Sequence, residues 1–122
     1  MHGNRLAVYR ADPSTNPPSL KRTLLTDKLI QGHALACGDL LDLRSDQIVV
    51  GWRGDKPGDD VGIAVWTALD EKGEQWRETV VDHNETACED LTLADLDGDG
   101  KLDIIAAGRA THNLRVLWNE RP

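Results

Sequence analysis

The sequence predicts an all-β fold made of repeated units of four antiparallel strands, and three observations carry that expectation. Short runs such as HALACGDL (33–40) and DLTLADL (90–96) alternate apolar and polar residues at period two, and Gly, Asp, Asn and Pro bound them. That is the pattern of half-buried strands rather than of helices. Sliding the chain by 56 residues lays LKRTLLTDKLIQGHALACGDL (20–40) over WRETVVDHNETACEDLTLADL (76–96) without a gap. Further on, GIAVW (62–66) resembles LRVLW (114–118), and RLAVY (5–9) resembles both. Four short strands recurring at about 55 residues suit the blade of a β-propeller, in which each sheet packs its faces only on its neighbours. A β-sandwich is the runner-up and leaves the recurrence unexplained.

Taken in order, the chain opens with a strand pair at 5–9 and 20–25, the outer half of a unit, and the first division is set at 1–30. Residues 31–82 hold a full unit: HALACGDL, then QIVVG (47–51) with its β-branched run ending in Gly, then GIAVW ending in an aromatic, then WRETVV (76–81). The third division, 83–122, holds three strands around DLTLADL, DIIAAG (103–108) and LRVLW. In this alignment one copy drops a residue after Asp39, so that DQIVVG (46–51) falls over DIIAAG. Propellers close with about four to eight blades. Two and a fraction would belong to a longer protein or to a homo-oligomer completing the ring, and the outer edge of the last unit is the expected contact because exposed edges recruit strands.

Fourteen Lys and Arg stand against 21 Asp and Glu, a net charge of −7, and the basic residues are scattered. No positive stripe exists to follow a phosphate backbone, so nucleic acid is not an expected partner. No stretch reaches the roughly 18 apolar residues of a membrane helix, and MHGNRLAVYR lacks the apolar centre of a signal peptide. Cys37 and Cys88 read as small buried thiols, since two cysteines at this spacing announce neither a disulfide framework nor a zinc site.

The chemistry concentrates in DLDGDGKLD (95–103). Asp and Gly are poor in pleated positions and favoured in tight turns. Such a turn can curl around a hard cation: side-chain oxygens of Asp95, Asp97, Asp99 and Asp103, with the backbone carbonyl of Lys101, approach the six or more oxygens that Ca²⁺ takes at about 2.3–2.6 Å. Gly98 and Gly100 permit the positive φ of the curl. Without an ion the carboxylates repel one another, so the loop is expected to loosen in chelator. An EF-hand begins with the same alternation of acids, but its twelfth position needs a bidentate Glu and here is Ala106, and its flanking helices are missing from the pattern.

D-x-D-G-D-G-x-x-D followed by a β-branched strand resembles the FG-GAP or VCBS repeats of integrin-like β-propellers. The resemblance covers residues 20–118 once both copies are counted. ACEDL, DLDGDGKLDIIAAGRATHN and LWNE are, more narrowly, similar to bacterial propeller proteins related to aldos-2-ulose dehydratase. It implies a calcium loop joining the first two strands of a blade. The first copy, DLLDLRSD (39–46), keeps Asp39, Asp42 and Asp46 but has lost both glycines and an acid, so it is expected to bind calcium feebly or not at all.

The same 56-residue register sets His33 opposite Glu89 and Ala34 opposite Asp90, at the start of each innermost strand. Resemblance to a sugar dehydratase would make His33, Glu89 and Asp90, with His112 or Arg109, a second metal or acid–base site; the competing reading is a set of solvated residues at a channel mouth. Trp66 and Trp118, with Tyr9, are expected to pack between units, while Trp52 beside Arg53 in GWRGDKPGDD sits at a loop suited to binding, including carbohydrate stacking. The leading functional expectation is a non-catalytic, calcium-binding module for a protein or carbohydrate ligand, extracellular or periplasmic, where calcium is plentiful. The alternative is part of a metal-dependent sugar lyase or dehydratase.

Overall fold

The computed structural model describes residues 3–120 and residue 122. Met1, His2 and Arg121 lie outside the described residues, so the leading stretch read for an export signal falls partly on them. Among the described residues there is no helix, and none therefore long and apolar enough to cross a membrane. Nine strands run β1 (Leu6–Asp12), β2 (Ser19–Thr26), β3 (Gly32–Gly38), β4 (Gln47–Trp52), β5 (Gly62–Ala68), β6 (Trp76–His83), β7 (Cys88–Ala94), β8 (Asp103–Gly108) and β9 (Asn113–Leu117). Each pairs antiparallel with its sequence neighbour to give three sheets, β1-β2, β3-β4-β5-β6 and β7-β8-β9.

The sheets stack through two apolar cores, and the middle sheet supplies both. Successive strand residues point to opposite faces. In β4, Val49 enters one core with Ala34, Ile63, Val65, Cys88, Leu91, Ile104 and Ala106, whereas Val50 and Trp52 enter the other with Leu6, Leu29, Ala64 and Trp66. A sheet covered on both sides needs no polar face, which is why QIVVGW and GIAVWTA are apolar nearly throughout and buried along most of their length. Full burial of a side chain such as Ile63, which has no exposed surface, contributes about 1.5–3 kcal/mol.

The pairing registers recur at a fixed spacing. Gly38 faces Gln47 and Ala94 faces Asp103; a bulge lies between Gly32 and Ala34 in one pair and between Cys88 and Asp90 in the other. Every one of these positions differs from its counterpart by 56. The one-residue gap expected after Asp39 is therefore absent: Gln47, not Asp46, holds the position of Asp103. In the third strands, Ile48 faces Trp66 while Ile104 faces Leu117, so Leu117 and not Trp118 is the counterpart of Trp66. Trp118 lies one residue beyond β9 and is exposed, while Trp66 is buried. Tyr9 faces Arg22 and Trp66 faces Glu78, which puts Tyr9 in the expected register, but Tyr9 is exposed and does not pack between two sheets as expected, because no sheet precedes β1-β2 among the described residues.

Candidate metal centre

Between β7 and β8 the chain turns through Asp95–Leu102, and three of its carboxylates converge. One oxygen from each of Asp95, Asp97 and Asp99 lies within 4.8 Å of the others, all on exposed residues. Two ligands held about 2.4 Å from a common ion are at most about 4.8 Å apart, so the donor set and its spacing fit Ca²⁺ with water completing the shell. Gly98 (φ 80°) and Gly100 (φ 83°) take the left-handed conformation that brings the three acids to one side.

The loop is also braced from within. Asp95 accepts hydrogen bonds from the N–H groups of Gly98 (2.8 Å) and Gly100 (2.9 Å), and Asp97 accepts from Asp99 N–H at 3.1 Å. Asp99 accepts from Lys101 N–H at 2.9 Å, and Lys101 Nζ lies 2.8 Å from its second oxygen. Those bonds to Lys101, side chain first, hold the Asp99 carboxyl below the usual carboxylate range. Lys101 thus contributes an ammonium to the acid cluster, whereas the sequence pointed to its carbonyl.

Asp103 differs from the other three. It is buried at the start of β8, and its two oxygens accept from Leu96 N–H (3.1 Å) and Asn119 N–H (2.9 Å), locking the loop and the chain after β9 to the strand. Its carboxylate is not among the three that converge. Asn119 goes further, donating from Nδ2 to the carbonyls of Leu40 (2.8 Å) and Leu102 (3.1 Å) and so tying the corresponding loop of the middle sheet to this one.

That earlier loop, residues 39–46, makes the same curl without converging acids. Asp39 accepts from Leu43 and Arg44 N–H, both at 2.8 Å, and the buried Gln47 accepts from Leu41 N–H at 2.9 Å, one residue further along the loop than the Leu96 N–H that Asp103 accepts. Asp42 (φ 55°) and Arg44 (φ 59°) adopt the left-handed conformation at the places of Gly98 and Gly100. Leu41 and Leu43 fall at the places of Asp97 and Asp99, so two of the three ligand carboxylates are missing while the backbone path is kept.

A second cluster surrounds Glu89. Arg53 Nη1 donates to both its oxygens, at 2.8 and 3.1 Å, with His33 Nε2 at 3.6 Å and Arg109 Nη1 at 3.7 Å. The Arg53 hydrogen bonds, then the charges of His33, Arg53 and Arg109, hold the Glu89 carboxyl below its ordinary range. The cluster borders an open groove of about 620 Å³ lined also by Lys56, Asp59 and His112. His33, Glu89 and Arg109 are thus brought together, and His112 reaches the same groove. Asp90 is exposed, with one oxygen taking the N–H of Leu91. Among the described residues the only grouping of three metal-type ligands is the Asp95–Asp97–Asp99 set, so Glu89 has His33 beside it but no third such ligand, and its other neighbours here are the guanidinium groups of Arg53 and Arg109.

Two expected roles change. Trp52 is buried and its Nε1 donates to Asp60 at 2.9 Å, leaving no ring face for a sugar. Cys88 is buried as expected, but Cys37 is exposed, and both are free thiols. Sequence reasoning also missed Asp82. This buried carboxylate accepts from Glu85 N–H, Thr86 N–H and Thr86 Oγ1, and pairs with Arg115 of β9, pinning the last sheet to the end of β6. The spacing of Asp82 from Thr86 in DHNET, an Asx-type turn, is the signal that could have found it.

No family model matches the chain, and no curated protein and no solved structure matches it significantly.

Proposed function

We propose that the chain is a calcium-binding β-module of the FG-GAP or VCBS propeller type, its three stacked sheets being blades, and that it serves binding or adhesion outside the cytoplasm. The observation that carries the reading is the convergence of the Asp95, Asp97 and Asp99 carboxylates at the spacing one Ca²⁺ ion spans. The recurring 56-residue register, and the copy of the same loop with leucines at two of the three ligand places, support a repeat in which one unit has kept the site. When bound, the ion neutralises clustered negative charge; the chain's own residues orient the oxygens and close the loop around them. An exposed site of three carboxylates suits the 10⁻⁴–10⁻³ M range of extracellular modules, which fits a periplasmic or extracellular setting. A protein or carbohydrate ligand is the partner class such a module would take.

Isothermal titration with CaCl₂ and melting in calcium against EDTA test this. At about tenfold excess over Kd, mass action adds about 1.4 kcal/mol of stability. One ion per chain is expected, with loss of binding in Asp97→Asn/Asp99→Asn and much weaker binding of Mg²⁺. Absence of heat and of any melting shift at 10 mM Ca²⁺ would refute the proposal.

The lyase reading draws on one observation, the groove at Glu89. Its chemistry is less suited: a carboxylate held ionised by Arg53 is a weak base, and no third ligand accompanies it for a metal. Stoichiometric zinc, or sugar turnover abolished by His33→Ala, would reverse this preference.

A further inference from the structure

The two end sheets each leave one face open, and the two faces are complementary. In the last sheet, Ile105 and Ala107 alternate with the core residues Ile104 and Ala106 and so point away from the middle sheet. Their cross-strand partners Val116 and Leu114 share that face. The corresponding residues of the middle sheet are Val49, Gly51, Val65 and Ile63, since Val49 faces Val65 and Gly51 faces Ile63. There the positions form the contact with the next sheet: Ile63 is 0% exposed, whereas Leu114 is 71% exposed.

The opposite end shows the converse. Leu24 alternates with Leu25, which packs on the core toward the middle sheet, so Leu24 and its partner Ala7 face outward, with Tyr9 and Arg22 on the same side. Tyr9 occupies the register of Trp66, and Ala7 that of Ala64, both of which bury themselves against the preceding sheet. Trp66 is 6% exposed and Tyr9 is 60% exposed. One end of the stack therefore carries the forward face of a sheet-to-sheet contact and the other end carries its backward face.

Charge runs the same way. Residues 3–30 hold five Lys or Arg against two acids, and residues 84–120 hold three against eight acids. Opposite fields at the two ends favour their encounter and disfavour like ends meeting.

We propose that the chain associates head to tail with further copies of itself, the Ile105–Ala107–Leu114–Val116 face of one copy stacking on the Ala7–Tyr9–Leu24 face of the next. The contact continues the interfaces already inside each chain. It is heterologous, so it produces a ring if the rotation closes and a filament if it does not. It rests on strand register and not on an ion at residues 95–103, so calcium and association measurements succeed or fail independently.

Sedimentation velocity on the whole chain, from about 1 to 100 μM, is the test. The wild type is expected to assemble beyond 13.4 kDa. Leu114→Lys sets a cation against the basic end, and Tyr9→Lys buries one among apolar residues. Each variant alone is expected to sediment as a monomer, because each has one spoiled face. An equimolar mixture restores one good contact and is expected to give pairs and nothing larger. Leu114→Thr and Tyr9→Thr, which suit exposed strands, should weaken assembly about tenfold with unchanged circular dichroism. A wild type monomeric at 100 μM, a single variant that assembles like the wild type, or a mixture that stays monomeric would each overturn the proposal.

Discussion

Gly51 sits in β4 where the middle sheet meets β7, and replacing it with Ala tests how closely the two sheets must approach. A Cβ built at Gly51 falls 2.6 Å from Cys88 Cβ and closer still to Cys88 Sγ, with Ala34 Cβ at 3.3 Å. Carbon atoms rest about 3.5–4.0 Å apart, so the sheets would have to part by about 1 Å. A gap of that size forfeits a quarter to a half of each dispersion contact, here those of Val49, Ile63 and Val65 with Leu91, Ile104 and Ala106. Overpacking of this kind costs about 1–3 kcal/mol, which in a domain of this size lowers Tm by roughly 5–15 °C. The expected partner in a double-mutant cycle is Cys88. Cys88→Gly removes both offending atoms and Cys88→Ala only the sulfur, so the first should rescue Gly51→Ala more fully, with a coupling of about 1–2 kcal/mol. Urea unfolding of the four proteins decides the matter: a Gly51→Ala protein as stable as wild type, or strictly additive losses, would refute the inter-sheet contact.

Asp103→Ala strands the N–H groups of Leu96 and Asn119, and about 2–4 kcal/mol should be lost equally in calcium and in EDTA, as read by urea midpoints. Cys88 is buried, and desolvation together with the nearby charges of Asp82, Asp90 and Glu89 pushes its thiol up to about 12. Iodoacetamide at pH 8 is therefore expected to label Cys37 alone until the protein unfolds, as peptide mapping would show. The Glu89 carboxyl is depressed in the folded protein, so its contribution is present above the ordinary carboxylate value of about 4.3 and lost as pH falls through the lower folded value. Stability measured from pH 7 to 3 should fall below about 4.3 and fall less steeply in Arg53→Met, which removes the main cause of the depression.

Strand positions were legible because period two survives in runs such as HALACGDL and DLTLADL, while the nearly continuous apolar runs of β4 and β5 were marked by their β-branched and aromatic residues and bounding Gly. Register was harder. Asp46 imitates Asp103 by residue type, yet Gln47 performs the task, because its amide oxygen takes a loop N–H as the carboxylate does, that of Leu41 in one loop and of Leu96 in the other. The aromatic ends of GIAVW and LRVLW suggested equal roles, but pairing with the preceding strand sets register, and it gives the place of Trp66 to Leu117. Trp52 looked like a loop residue open to ligands until Asp60, eight residues on, was seen to satisfy its indole. Asn119 was invisible for a related reason, since it acts on a backbone carbonyl 79 residues away, and of Asp82 only the local turn in DHNET was legible, not its pairing with Arg115.

The pair of loops separates two roles that the acidic motif runs together. If clustered acids and their ion were needed to bend the chain, Asp39–Asp46 could not follow the path of Asp95–Leu102, yet it does so with Leu41 and Leu43 where the other has Asp97 and Asp99. What the loops share is a leading aspartate that gathers turn N–H groups, a buried acceptor at the head of the next strand, and two left-handed residues. Those features make the curl. Non-glycine residues at two left-handed positions cost about 1–2 kcal/mol each, so Gly98 and Gly100 relieve strain that the first loop sustains at Asp42 and Arg44. Asp97 and Asp99 each add one hydrogen bond within the loop but are not needed for its path, and their cost is mutual repulsion, offset in part by Lys101. A cation at that point removes the repulsion and leaves the backbone where it was, so chelator should lower the melting temperature without changing the far-ultraviolet spectrum.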